Sequence, residues 1–314
     1  MVMIVIKSLI LPVLAGGGLI ALAWLLPPLR KWTWLSGAAL GLALAIGVFA
    51  SFVPENGLPT FPPGSRAEWL PLAAIMAGAL ALLMPLTGVP GSTRSWPLLE
   101  LAAVIAGGLV AKAPFLAALA EGRPLESATP LFSDSTIADQ VGLGLAVALG
   151  IMLFDRVAAA RPGFVLPLML CLVFGGLAPL ADAAGWITLT FLAATASGVC
   201  FVAALAAAFG GSPGIGRGGV VAAVVLLAVF PMAGFRQTYG DFPWWCWGAV
   251  AASPLSLLFF EIPIFGKLPT WAGTTLRLLA VVVILGIAVG VALSSGDTSG
   301  DDGGMSGFDY SSAG

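Results

Sequence analysis

Few side chains in this 314-residue sequence are equipped for chemistry, and none of them is histidine. The commonest metal ligand and general base near neutral pH is therefore missing. A Ser–His–Asp triad and an H-E-x-x-H zinc site are both impossible. Cys171, Cys200 and Cys246 form no C-x-x-C pair and lie in or beside apolar runs. Such residues read as small buried side chains, not as a disulfide frame. Gly214-Ile215-Gly216-Arg217-Gly218-Gly219 has the glycines of a phosphate loop but lacks the preceding soluble strand. These exclusions predict no cofactor and no metal, and they weigh against an enzyme.

The remaining candidates are ionisable or hydroxyl groups inside apolar surroundings. Lys112 follows Gly107-Gly108 and precedes Pro114 in a long apolar run. A charge at that depth faces a cavity or a partner, or snorkels on its stem to the headgroups. Glu261 sits in Phe259-Phe260-Glu261-Ile262-Pro263, within reach of Lys267 or Arg277. It suits either a cavity mouth or an interfacial anchor. Glu100 opens the same run as Lys112, where a carboxylate complements a helix N-terminus. Thr188, Thr190, Thr195, Ser197 and Cys200 form a polar ladder, with Thr188 and Thr195 two helical turns apart on one face. They bond across a helix interface or line a polar wall. Arg236, Tyr239 and Asp241 lead into Trp244, Trp245 and Trp247. That cluster could receive a lipid, a quinone-like molecule or another subunit, although interfacial anchoring alone accounts for its aromatic rings.

The elements that must position these groups are membrane spans. Hydrophobic residues make up 59% of the chain and charged residues only 9%, against roughly 25% charged in soluble proteins. Ten apolar stretches read as transmembrane helices near 8–26, 34–53, 69–87, 98–118, 139–154, 164–181, 186–209, 218–235, 245–262 and 273–293. The expected fold is an all-α, polytopic transmembrane helical bundle over residues 1–293. A flexible acidic Gly/Ser-rich tail, 294–314, follows it. An eight- or nine-span count is the alternative. Lys7 and Ala21-Leu22-Ala23 give only a weak signal-peptide pattern for the first run.

Charge and aromatic placement orient the bundle. Arg30, Lys31, Arg94, Arg156, Arg161, Arg217, Lys267 and Arg277 fall on one side, and Lys7, Arg66, Arg123 and Arg236 on the other. The positive-inside bias makes the first side cytoplasmic, with both termini outside and a cell inner membrane as the expected location. Tryptophans lie at or near most span ends, as interfacial anchors do. Gly37-x-x-x-Gly41 and Gly16-Gly17-Gly18 read as close-packing surfaces.

The expected partners are membrane lipid, together with membrane-protein subunits or a small-molecule substrate. The net charge of −2 argues against nucleic acid. Two functions fit. One is a small-molecule transporter with an internal polar cavity, built as two five-helix halves around Lys112, Glu261 and the threonine ladder. The other is a non-catalytic structural or accessory subunit of a membrane complex.

Overall fold

The computed structural model describes residues 2–26, 33–60, 63, 65, 67–87, 137–160, 163–210, 215–237, 243–260 and 270–297. The chain is a polytopic helical membrane protein. Eight described helices are long and apolar enough to cross a bilayer. The span expected at 98–118 lies outside the described residues, so the structure supports the bundle but not a count of ten.

Helix α1 (Val2–Val5) runs through a π-turn (Ile6–Ile10) into α2 (Leu11–Leu25). Next come α3 (Thr33–Asn56) and α4 (Trp69–Leu83), the latter ending in a 3-10 turn at Met84–Thr87. Then follow α5 (Ile137–Ala160), α6 (Val165–Ala183), α7 (Ile187–Gly210) and α8 (Arg217–Gln237). The remaining elements are α9 (Trp245–Ala252), a 3-10 turn (Ser253–Leu255), α10 (Ser256–Phe259) and α11 (Thr270–Asp297). The fifth span does not stop at Phe154 as hydropathy implies; α5 continues through Asp155 to Ala160. Helix α11 runs through Asp297, past the expected start of the tail, and the Ser294 and Ser295 hydroxyls bond back to Val291 O.

The ninth expected span is not one continuous helix. Pro254 lacks the N–H that would continue the α pattern to Val250 O. The segment tightens there into a 3-10 turn, and Ser253 Oγ donates to Val250 O at 2.8 Å. Helices α6 and α7 are separate, as the short Asp182–Gly185 link implies. Gly185 adopts φ +75°, and its N–H bonds Asp182 O while Trp186 N–H bonds Ala181 O. That Schellman pattern satisfies the last carbonyls of α6 and reverses the chain.

Helix α8 is the most buried of the described spans, with 83% of its apolar window buried. Without a hydrophobic drive between helices, cohesion depends on close fit, and here glycines provide it. A Cβ on Gly41 of α3 would collide with Ala81 Cβ of α4 and lie 2.9 Å from Gly218 O of α8. One on Gly218 would lie 2.6 Å from Ala81 O and 2.8 Å from Gly37 O. The glycines around Arg217 thus let the start of α8 press its backbone against α3 and α4. A Cβ on Gly16 of α2 would similarly stand 2.5 Å from Ala43 O, whereas one on Gly18 would meet nothing within 4 Å among the described residues.

These contacts also fix direction. Gly218 meets Ala81 near the end of α4, and Arg217 meets Asp155 near the end of α5. Helices α4 and α5 are therefore both antiparallel to α8 and parallel to each other. Thr87 and Ile137 consequently lie at opposite faces of the bundle.

Several tryptophans depart from the interfacial expectation. Trp24, Trp69 and Trp247 are buried in the bundle, while Trp244 is 69% exposed. Trp24 Nε1 donates to Ser36 O at 3.2 Å, tying the end of α2 to the start of α3. The Trp247 ring fits over Gly234, where a Cβ would overlap the indole.

Replacing Gly218 with alanine should lower stability by about 1–3 kcal/mol, because backbone atoms cannot yield cheaply to the added methyl. Gly286→Ala is the control: among the described residues, nothing would come within 4 Å of the added methyl there. Thermal unfolding in detergent should show a loss for the first and none for the second.

Candidate functional site

Among the described residues, two polar constellations stand out in this apolar bundle. The first is an ion pair. Arg217 is the first residue of α8 and Asp155 lies near the end of α5. Arg217 Nε donates to Asp155 Oδ1 at 3.0 Å, and Nη2 donates to Oδ2 at 3.3 Å. Both side chains are completely buried. This fork geometry suits arginine and would not survive exchange for lysine.

Each charge sits on the wrong end of its own helix. A cation opposes the positive N-terminus of α8, and an anion opposes the negative C-terminal end of α5. Because the helices are antiparallel, each group instead complements the other helix's dipole. The positive-inside count puts Arg217 in a loop; the structure makes it an internal bundle residue. Its partner Asp155 is absent from the sequence-derived candidates. The available signal is an acid immediately after an apolar run, on the side of the chain where basic residues dominate.

A second buried guanidinium lies in α11. Arg277 is only 4% exposed, and its Nη2 donates to Phe260 O at 3.0 Å. It lies inside the tenth expected span, on the side that the charge count assigns to it. The space beside it comes from Gly273, whose Cβ would stand 3.3 Å from Arg277 Nη1. Arg277 thus holds the chain end just before Glu261, although Glu261 itself lies outside the described residues.

The second constellation is made of hydroxyls. Pro12 lacks the N–H that Ser8 O would accept in an α-helix, and its ring crowds that carbonyl. The helix loosens into the π-turn just upstream. Two side chains from other helices fill the gap: Ser51 Oγ of α3 donates to Ser8 O at 2.5 Å, and Thr195 Oγ1 of α7 approaches the same oxygen at 3.4 Å. Thr195 Oγ1 also donates to Ser51 Oγ at 3.1 Å. All three residues are buried. Among the described residues, Ser8 Oγ has no hydrogen-bond partner.

The expected threonine ladder is therefore divided. Thr195 enters the cluster, whereas Thr188 is half-buried two turns nearer the start of α7. Thr190 bonds Trp186 O of its own chain turn, and Ser197 Oγ donates to Cys171 O across the α6–α7 pair at 2.8 Å. Lys112, Glu261, Tyr239 and Asp241 lie outside the described residues. Arg236 is in the last turn of α8, and its side chain is likewise outside them. A groove of about 410 Å³ between α3 and α4 is apolar, lined by residues such as Ile46, Phe49, Ile75 and Leu82.

No protein-family model, curated protein or solved structure matches this chain.

Asp155→Asn should destabilise the bundle by about 3–5 kcal/mol, since it leaves the Arg217 charge buried without its counterion. Replacing both partners by leucine and methionine should recover most of that loss. A double-mutant cycle read by detergent unfolding checks both outcomes.

Proposed function

We propose that this membrane protein is a small-molecule transporter whose Asp155–Arg217 pair holds one end of the bundle closed. The observation that carries this reading is the complete burial of both charges between α5 and α8. An apolar pair would pack those helices at least as well, because two charges must be stripped of water to meet there. An ion pair differs in that it can part and be resolvated when the helices separate. Ionisable groups inside membrane bundles mark substrate or ion pathways by default.

The helix interruptions support the same reading. A π-turn precedes Pro12, and a 3-10 turn interrupts the segment at Pro254. Transporters place binding sites at such breaks, where carbonyls leave the regular ladder. The glycine contacts of α8 then act as the fixed seam around which α5 and the broken α9–α10 segment move. On this reading the Arg217 face is cytoplasmic and the membrane is the cell inner membrane. Lys112 and Glu261 are the charged candidates for substrate contact.

One observation favours the accessory-subunit reading instead. Leu276, Leu279, Val283, Gly286, Gly290 and Leu293 form an exposed stripe on α11 with an average spacing near 3.5 residues. Such a face suits a partner helix.

Uptake by proteoliposomes over a panel of small molecules tests transport. Wild-type protein should concentrate or equilibrate at least one solute. The paired Asp155→Leu, Arg217→Met variant should insert and stay folded, yet lose coupled flux because its gate cannot be resolvated. Lys112→Met should lower flux without preventing insertion. Absence of wild-type flux across the panel, together with a reproducible larger assembly in native mass analysis, would instead select the accessory subunit.

A further inference from the structure

The hydroxyl cluster offers more than a cap for one carbonyl. Ser8 O, Ser51 Oγ and Thr195 Oγ1 form a triangle of oxygens with edges of 2.5, 3.1 and 3.4 Å. They come from three chain segments: the π-turn, α3 and α7. A single hydroxyl from one helix would have been enough to satisfy the carbonyl. The residue that carries this carbonyl brings a fourth oxygen, Ser8 Oγ, which is buried and without a hydrogen-bond partner among the described residues. An orphaned buried hydroxyl is destabilising unless something meets it.

We propose that these three oxygens, joined by Ser8 Oγ when its side chain rotates toward them, are a binding site for a monovalent hard cation, with Na⁺ as the ion it fits. The donor set is one carbonyl and three hydroxyls, all neutral. Divalent Ca²⁺ draws carboxylates and Mg²⁺ keeps several waters, and the cluster has no carboxylate. Carbonyls released where a membrane helix departs from the α pattern are the groups that coordinate Na⁺ in transport proteins. Pro12 creates that release here by removing a donor. When the ion enters, each hydroxyl turns its proton to the carbonyl four residues back on its own helix, a bond that serine and threonine make readily. Their lone pairs then face the ion. Lys7, next in sequence, is exposed and does not occupy the cluster.

The site also joins elements that otherwise touch mainly through apolar packing. Gly47 of α3 lies between Pro12 O, Thr195 and Val199, so the three segments meet with no bulky side chain between them. A bound cation would hold α1–α2, α3 and α7 together near the face opposite the Asp155–Arg217 pair. Its use as a coupling ion rests on the transporter reading; its binding does not.

The test uses purified full-length protein in detergent, with choline replacing Na⁺ at constant ionic strength. Radioactive Na⁺ binding and the unfolding temperature are measured together, because a ligand that binds only the folded state raises its stability with concentration. Wild-type protein should show saturable Na⁺ binding and a rise in Tm that choline does not produce. Thr195→Val keeps the shape but removes the oxygen, and should weaken binding by about tenfold or more. Thr195→Ser restores the oxygen and should restore binding. No saturable Na⁺ binding by folded wild-type protein would overturn the proposal, leaving the cluster as an internal cap or a site for bound water. Binding by Thr195→Val equal to wild type would overturn it as well. Both measurements are made without flux, so a failed uptake assay leaves them intact.

Discussion

Lipid tails compete on equal terms for every apolar side chain of a membrane helix, so these helices cohere only as far as their surfaces fit. That constraint runs through the whole bundle. The start of α8 presses its glycine backbone against Gly37 of α3 and Ala81 of α4. Gly16 brings α2 onto α3, and Gly234 opens the space that Trp247 fills. Dispersion contacts of this kind are lost quickly when atoms move apart. The close seams are therefore the stiffest lines of the bundle.

Hydrocarbon imposes a second demand, because a backbone group without a partner has no water to turn to. Among the described residues, side-chain hydroxyls meet that demand at two proline-induced breaks. Ser253 reaches back to Val250 O after Pro254, and Ser51 and Thr195 reach across to Ser8 O before Pro12. The first is a repair within one segment. The second recruits two other helices and leaves a further hydroxyl over, which distinguishes it from simple repair. Asp155 and Arg217 solve the analogous problem for full charges, each neutralising the other where no solvent reaches.

The spans are legible in the sequence because an apolar run long enough to cross a bilayer has few other stable fates. Their ends are less so. Hydropathy cuts the fifth span at Phe154 because a window treats Asp155 as an exit, although a charge can remain inside when a partner is supplied. Arg217 falls into a loop for the same reason. The ninth span looks continuous because Pro254 is itself tolerated in apolar runs, while the break it causes is a matter of hydrogen bonding. Of the hydroxyls, Thr195 stands out within a ladder, but Ser8 and Ser51 give no periodic signal.

Read along one dimension, the chain is already a helical membrane protein without histidine chemistry and rich in small residues that suit close interfaces. Composition and run length decide those properties, and both are local. Which polar groups meet depends on how the helices pack. Asp155 with Arg217, and Ser8 with Ser51 and Thr195, are brought together by antiparallel packing between segments far apart in the chain. A side chain's burial and partner depend on the helix facing it, and no window along one segment contains that helix.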